Sequence, residues 1–135
     1  MPQLIVKANP HAKVAVCEPR RLAATSLAAR VGSEMGSKIG DIVGYHIGME
    51  PKMSSNSKVI FMTYGILIQE LLFRKSINYT HIVLDEVHER SLEMDFAFIA
   101  LKRILEKEKN RKIKIVIMSA TINSKQLKKY FSVHK

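Results

Sequence analysis

Asp85 and Glu86 are adjacent carboxylates that follow an apolar run, His81-Ile82-Val83-Leu84. The run reads as a buried β-strand. Placing two acids at its end costs free energy unless a cation, a water or a hydrogen-bond donor compensates them. Such a pair can carry out metal-assisted hydrolysis. Asp85 can hold Mg²⁺ through water, because that ion dehydrates reluctantly. Glu86 can orient the attacking water and accept its proton. The plainer role is an acid pair at a helix N-terminus, favoured by the macrodipole. The preceding strand and the following His88-Glu89-Arg90 favour the chemical role. Zinc is a poor fit for His88 and Glu89, since no second histidine lies one helical turn away.

The elements around the pair alternate. Residues 13–17, 58–62, 81–84 and 114–118 read as strands, with a further short strand over 42–47. Residues 20–35 and 64–73 read as helices, and Pro19 suits the start of the first. Met94, Ala97, Phe98, Leu101, Ile104 and Leu105 form one face of another helix, a core-packing stripe. A last helix starts near Asn123 or Ser124 and turns Leu127, Tyr130 and Phe131 inward. Residues 51–57 read as a polar loop. This alternation predicts an α/β fold: a mostly parallel sheet with helices on both faces. Ligands of such sheets bind beyond the carboxyl ends of the strands. Three polar clusters follow strands, namely Glu18 to Arg21, Asp85 to Arg90, and Ser119-Ala120-Thr121. All three are expected at one edge. Gly32, Gly36, Gly40, Gly44 and Gly48 recur every fourth residue, but the polar residues between them point to a helix end and turns.

At 135 residues the chain is long enough for one domain with a core. The apolar fraction of 47% and charged fraction of 25% are those of a globular domain. A net charge of +10 and a pI near 9.9 point to a polyanionic partner, nucleic acid first. Many of the lysines fall after residue 101, where a solvated surface explains them equally well. The single cysteine, Cys17, forms no intrachain disulfide and reads as a small buried hydrophobe. No signal-peptide pattern is present and no apolar run approaches a membrane span, so no membrane partner and a cytoplasmic or nuclear location are expected.

Five segments together resemble a known family. Asp85 to Arg90 resembles motif II of the DEAH/RNA-helicase-A group of superfamily 2 helicases. Glu18-Pro19-Arg20-Arg21-Leu22-Ala23-Ala24 resembles its motif Ia, usually Q-P-R-R-x-A-A. Val43-Gly44-Tyr45 with Ile47 is similar to the V-G-Y-x-I segment that follows. Thr63-Tyr64-Gly65-Ile66-Leu67 resembles T-D-G-M-L of motif Ib, and Ser119-Ala120-Thr121 the S-A-T of motif III. They occur in the family order across almost the whole chain. Asp85 to Arg90 followed by Glu93-Met94-Asp95-Phe96 is also similar to the tudor-domain-bearing helicases of the spindle-E type.

The resemblance implies a RecA-like P-loop NTPase fold and an ATP-dependent RNA helicase, with ATP and Mg²⁺ as cofactors. It makes Asp85 the Mg²⁺ residue and Glu86 the residue for the hydrolytic water. His88, Arg90, Ser119, Ala120 and Thr121 would couple the nucleotide to a second RecA-like domain. Pro19, Arg20, Arg21, Thr63 and Gly65 would face single-stranded RNA. Contacts of that kind go to phosphate and sugar and position a strand without reading its sequence. Three residues depart from the pattern: Val87 for Ala, Tyr64 for Asp, and Gly48 where many members carry Arg.

The phosphate-binding G-x-x-x-x-G-K-S/T is absent from these 135 residues. Gly36-Ser37-Lys38 lacks the spacing and the preceding strand. The sequence therefore reads as part of a first RecA-like domain, N-terminally truncated just after that loop and inactive on its own. The alternative is a non-enzymatic basic module that keeps the fold and binds RNA or protein.

Overall fold

The computed structural model describes residues 1–73, 77–89, 91–107 and 112–119, together with Lys125 and Lys129. Its elements run α1 (Pro2–Ala8), β1 (Val14–Glu18), α2 (Arg21–Glu34), β2 (Val43–Ile47), β3 (Glu50–Lys52), β4 (Val59–Thr63), α3 (Tyr64–Phe73), β5 (His81–Leu84), a 3₁₀ turn (Val87–Glu89), α4 (Leu92–Lys107) and β6 (Lys114–Ile117). The six strands form one sheet in the order β3-β2-β4-β1-β5-β6. All pairings are parallel except β2 with β3.

Strand alternation divides the core into two layers. Val14 and Val16 of β1, Val59 and Phe61 of β4, and Val83 of β5 meet Val6 of α1 and Ala24, Ala28 and Val31 of α2. Ala15, Cys17, Ile60, Met62, Ile82 and Leu84 meet α3 and α4 on the other face. Both faces of the central strands are covered, which explains why their sequences are apolar runs and not alternating ones. Cys17 is a buried free thiol within this core. On α4, Met94, Ala97 and Leu101 are buried as the stripe requires, with Ala100 added.

Three details differ from the sequence reading. Pro19 lies outside the helix, which begins at Arg21 with Arg20 at the N-cap. The segment read as a loop opens with β3, which pairs Lys52, Pro51 and Glu50 with Tyr45, His46 and Ile47. A three-residue edge strand has no buried face to impose alternation, and an edge tolerates Pro51. Helix α1 was not anticipated; only Pro2 and Val6 are buried in its seven residues, too few for a period to show. The expected last helix, with Leu127, Tyr130 and Phe131, lies outside the described residues.

Two of the recurring glycines have separate local causes. Gly36 (φ 65) ends α2: Ser37 N–H donates to the Gly32 carbonyl at 2.8 Å and Gly36 N–H to that of Ser33 at 3.2 Å. That is the left-handed helix stop that glycine serves best. Gly44 lets the chain after β3 approach β2, since a Cβ there would lie 2.5 Å from the Lys52 carbonyl oxygen. Among the described residues no helix is long and apolar enough to cross a membrane.

Candidate nucleotide and nucleic-acid site

Parallel strands bring their carboxyl ends to one edge. Glu18 closes β1, Thr63 closes β4, Asp85 follows β5 and Ser119 lies just past β6. Cys17 is in register with Leu84 and Glu18 with Thr63, and Asp85 N–H donates to the Cys17 carbonyl at 3.0 Å. The three polar clusters therefore share an edge, as far as the described residues carry them. Arg90, Ala120 and Thr121 lie outside those residues.

After β5 the backbone turns sharply. Glu86 adopts φ 57, the only positive φ of a non-glycine residue among those described. For an L-residue that conformation is costly and typical of functional turns. Asp85 steadies the turn, its Oδ1 accepting from Glu86 N–H at 2.9 Å. The turn aims the Glu86 carboxylate at His88, with Oε2 3.0 Å from Nε2. The other ring nitrogen, Nδ1, lies 3.1 Å from Ser119 Oγ. His88 thus bridges the segment after β5 and the segment after β6. Val87 between them is buried in the α3/α4 layer, so its aliphatic side chain serves packing.

The arginines follow β1. Arg20, largely exposed, donates to Glu89 Oε1 at 2.9 Å. Arg21 places its guanidinium beside Gly48, 3.5 Å from where a Cβ would stand. A side chain at 48 would crowd that guanidinium. The first turn of α2 has no capping side chain and no acid. Its free N–H groups and two arginines form a positive rim. Pro19 and Thr63 are half-buried. Gly65 is less favourably placed: the Glu93 carboxylate would stand 3.5 Å from a Cβ there, and an acid at that point repels phosphate.

Sequence reasoning gave no role to Glu18, Tyr64 or Glu89. Glu18 is 1% exposed and its Oε1 has no hydrogen-bond partner. Burial above all, then the Asp85 carboxyl beside it and the charges of Glu86 and Glu89, push its carboxyl up to about 9. Tyr64 is fully buried, and its hydroxyl donates to the Asp85 carbonyl at 2.6 Å. Burial above all, then the thiol and acids around it, raises that phenol well above its ordinary range. One signal for Glu18 was available: an acid closing a strand in which every residue is buried.

The donor set fits a magnesium ion. Mg²⁺ takes hard oxygen ligands and keeps several waters, held by one or two carboxylates. Asp85 and the unpartnered Glu18 Oε1 supply such oxygens on the rim of one cavity of about 210 Å³, also lined by Gln3, Val16 and Met118.

The family model for DEAD/DEAH box helicases matches residues 2–130. The chain belongs to the DEAD/DEAH box helicase family. A probable ATP-dependent RNA helicase spindle-E from Aedes aegypti is 39% identical over 140 residues, covering all of this chain and 10% of that protein. The ATP-dependent RNA helicase TDRD9 of Homo sapiens is 37% identical over 138 residues, covering 98% of this chain and 10% of the relative. Spindle-E from Anopheles gambiae is 41% identical over 121 residues. The chain spans about a tenth of the length of the curated relatives it matches. Family membership accounts for the mostly parallel sheet, and it implies nucleotide use.

Proposed function

We propose that this chain belongs to the motor of an ATP-dependent RNA helicase and carries half of its hydrolytic site together with part of its RNA-facing rim. The observation that carries the reading is His88, whose two ring nitrogens reach Glu86 and Ser119 at 3.0 and 3.1 Å. A histidine held between a candidate base and the next strand's loop can transmit a change at one to the other.

Bound Mg²⁺ would supply charge neutralisation for the phosphates. Asp85 would hold that ion. Glu86 orients the attacking water and takes its proton, and His88 fixes the carboxylate that must do so. Arg20 and Arg21, at the uncapped start of α2, bind the phosphates of a single strand, where the helix dipole adds to their charge. Thr63 at the end of β4 borders the same path. A second RecA-like domain closes the site and supplies the remaining cations. The phosphate-cradling motif is not among these 135 residues, so the isolated chain is expected to bind nucleotide weakly and to hydrolyse none.

The test is Glu86→Gln in the full-length protein. RNA-stimulated ATP hydrolysis is expected to fall by about 10²–10⁴-fold, the usual contribution of a general base, with RNA binding retained. Unchanged hydrolysis would sink the motor reading and favour the non-enzymatic module.

A further inference from the structure

The register of β1 and β5 sets Glu18 beside Asp85 on one face of the sheet, and the motor reading uses only the second of these acids. Glu18 is held where a charge on it would be poorly compensated. It is 1% exposed, its Oε1 accepts no hydrogen bond, and it faces the cavity that Asp85 also lines. The other charged side chains of that lining, Arg30 and Glu34, pair with each other at 3.4 Å. A buried acceptor left without a donor is costly. A cation in that cavity would give the Glu18 oxygen the partner it lacks and neutralise both acids.

We propose that Glu18 is a second carboxylate of the divalent-cation site, coordinating Mg²⁺ or Mn²⁺ together with Asp85. The inference rests on Asp85 being the cation residue. Two carboxylates from neighbouring strands, with waters completing the shell, suit a hard octahedral cation. The pair would bind the ion without help from a nucleotide, whereas one carboxylate alone would need phosphate oxygens.

Mn²⁺ binding to the whole chain without nucleotide, followed by loss of the free-ion EPR signal, tests this. Glu18→Gln keeps the shape and removes the carboxylate, and a thermal melt without metal confirms its fold. Its Mn²⁺ affinity is expected to fall by at least about tenfold, as losing a group around a metal typically does. Glu18→Asp, which restores the charge, is expected to recover part of it. A smaller loss in Glu18→Gln, or no binding to the wild type at millimolar Mn²⁺, overturns the proposal. Asp85→Asn separates the two readings. If it abolishes binding while Glu18→Gln does not, only the role of Glu18 fails. If it leaves binding intact, the assignment of Asp85 fails as well.

Discussion

The hydroxyl of Tyr64, the first residue of α3, donates to the main-chain carbonyl of Asp85 at 2.6 Å. The residue that departs from the family pattern in motif Ib thereby holds the turn carrying motif II. Replacing it with phenylalanine keeps the ring in the core and removes the donor. Tyr64→Phe is expected to lower unfolding free energy by about 1–3 kcal/mol, the cost of stranding a buried acceptor. Urea denaturation, read as a lower midpoint at unchanged slope, checks it. An unchanged midpoint would mean the Asp85 carbonyl finds another donor.

Arg20 and Glu89 form an exposed pair at 2.9 Å, and RNA would compete with Glu89 for the guanidinium. Exposed pairs contribute about 0–1 kcal/mol, so Glu89→Gln should leave stability within that range. Its RNA affinity should rise. Arg20→Gln should weaken RNA binding and lower the salt-dependence slope by about 0.7, one phosphate contact on a single strand. Fluorescence anisotropy across a salt series measures both, and equal slopes in wild type and Arg20→Gln would remove Arg20 from the RNA path.

His81 opens β5 opposite Lys114 of β6, with Nδ1 2.8 Å from Thr80 Oγ1. Burial first, then the Lys114 charge, lowers its pKa below the ordinary 6.5. The folded state thus resists protonating a group that the unfolded chain protonates readily. Stability from this site is full above pH 6.5 and declines as pH falls through and below that value. His81→Gln is expected to flatten the profile between pH 7 and pH 5. Unfolding curves at several pH values test it, and a variant as acid-sensitive as the wild type would refute the assignment.

Gly44 sits where a Cβ would come within 2.5 Å of the Lys52 carbonyl oxygen and 3.0 Å of Met53. The obstacle is backbone, which cannot swing aside as a side chain does. Gly44→Ala should therefore separate β3 from β2 and cost about 1–3 kcal/mol, the usual penalty of overpacking. Hydrogen exchange should show the loss at β2 and β3 while the amides of β1 and β5 stay protected. Gly36→Ala, at a position with open space but φ 65, should act through backbone strain alone and leave the hairpin's protection unchanged.

The central layout is written in residue type. β5 and α3 fall on the residues anticipated, and β1, β2, β4, β6, α2 and α4 close to them, because buried strands and amphipathic helices must write their burial into residue type. The order of strands and polar clusters also placed Glu18, Asp85 and Ser119 at one edge, since right-handed crossovers leave a parallel sheet few other arrangements. Which groups meet follows only from the folded chain. Whether Glu18 faces Asp85, whether the Tyr64 hydroxyl reaches a carbonyl 21 residues away, and whether Arg20 pairs with Glu89 depend on strand register and on the turn at Glu86. Those are contacts between residues distant in the chain, and no local period or propensity encodes them. The paired acids after β5 were legible as chemistry. Their buried neighbour on β1 was legible only once the two strands lay side by side.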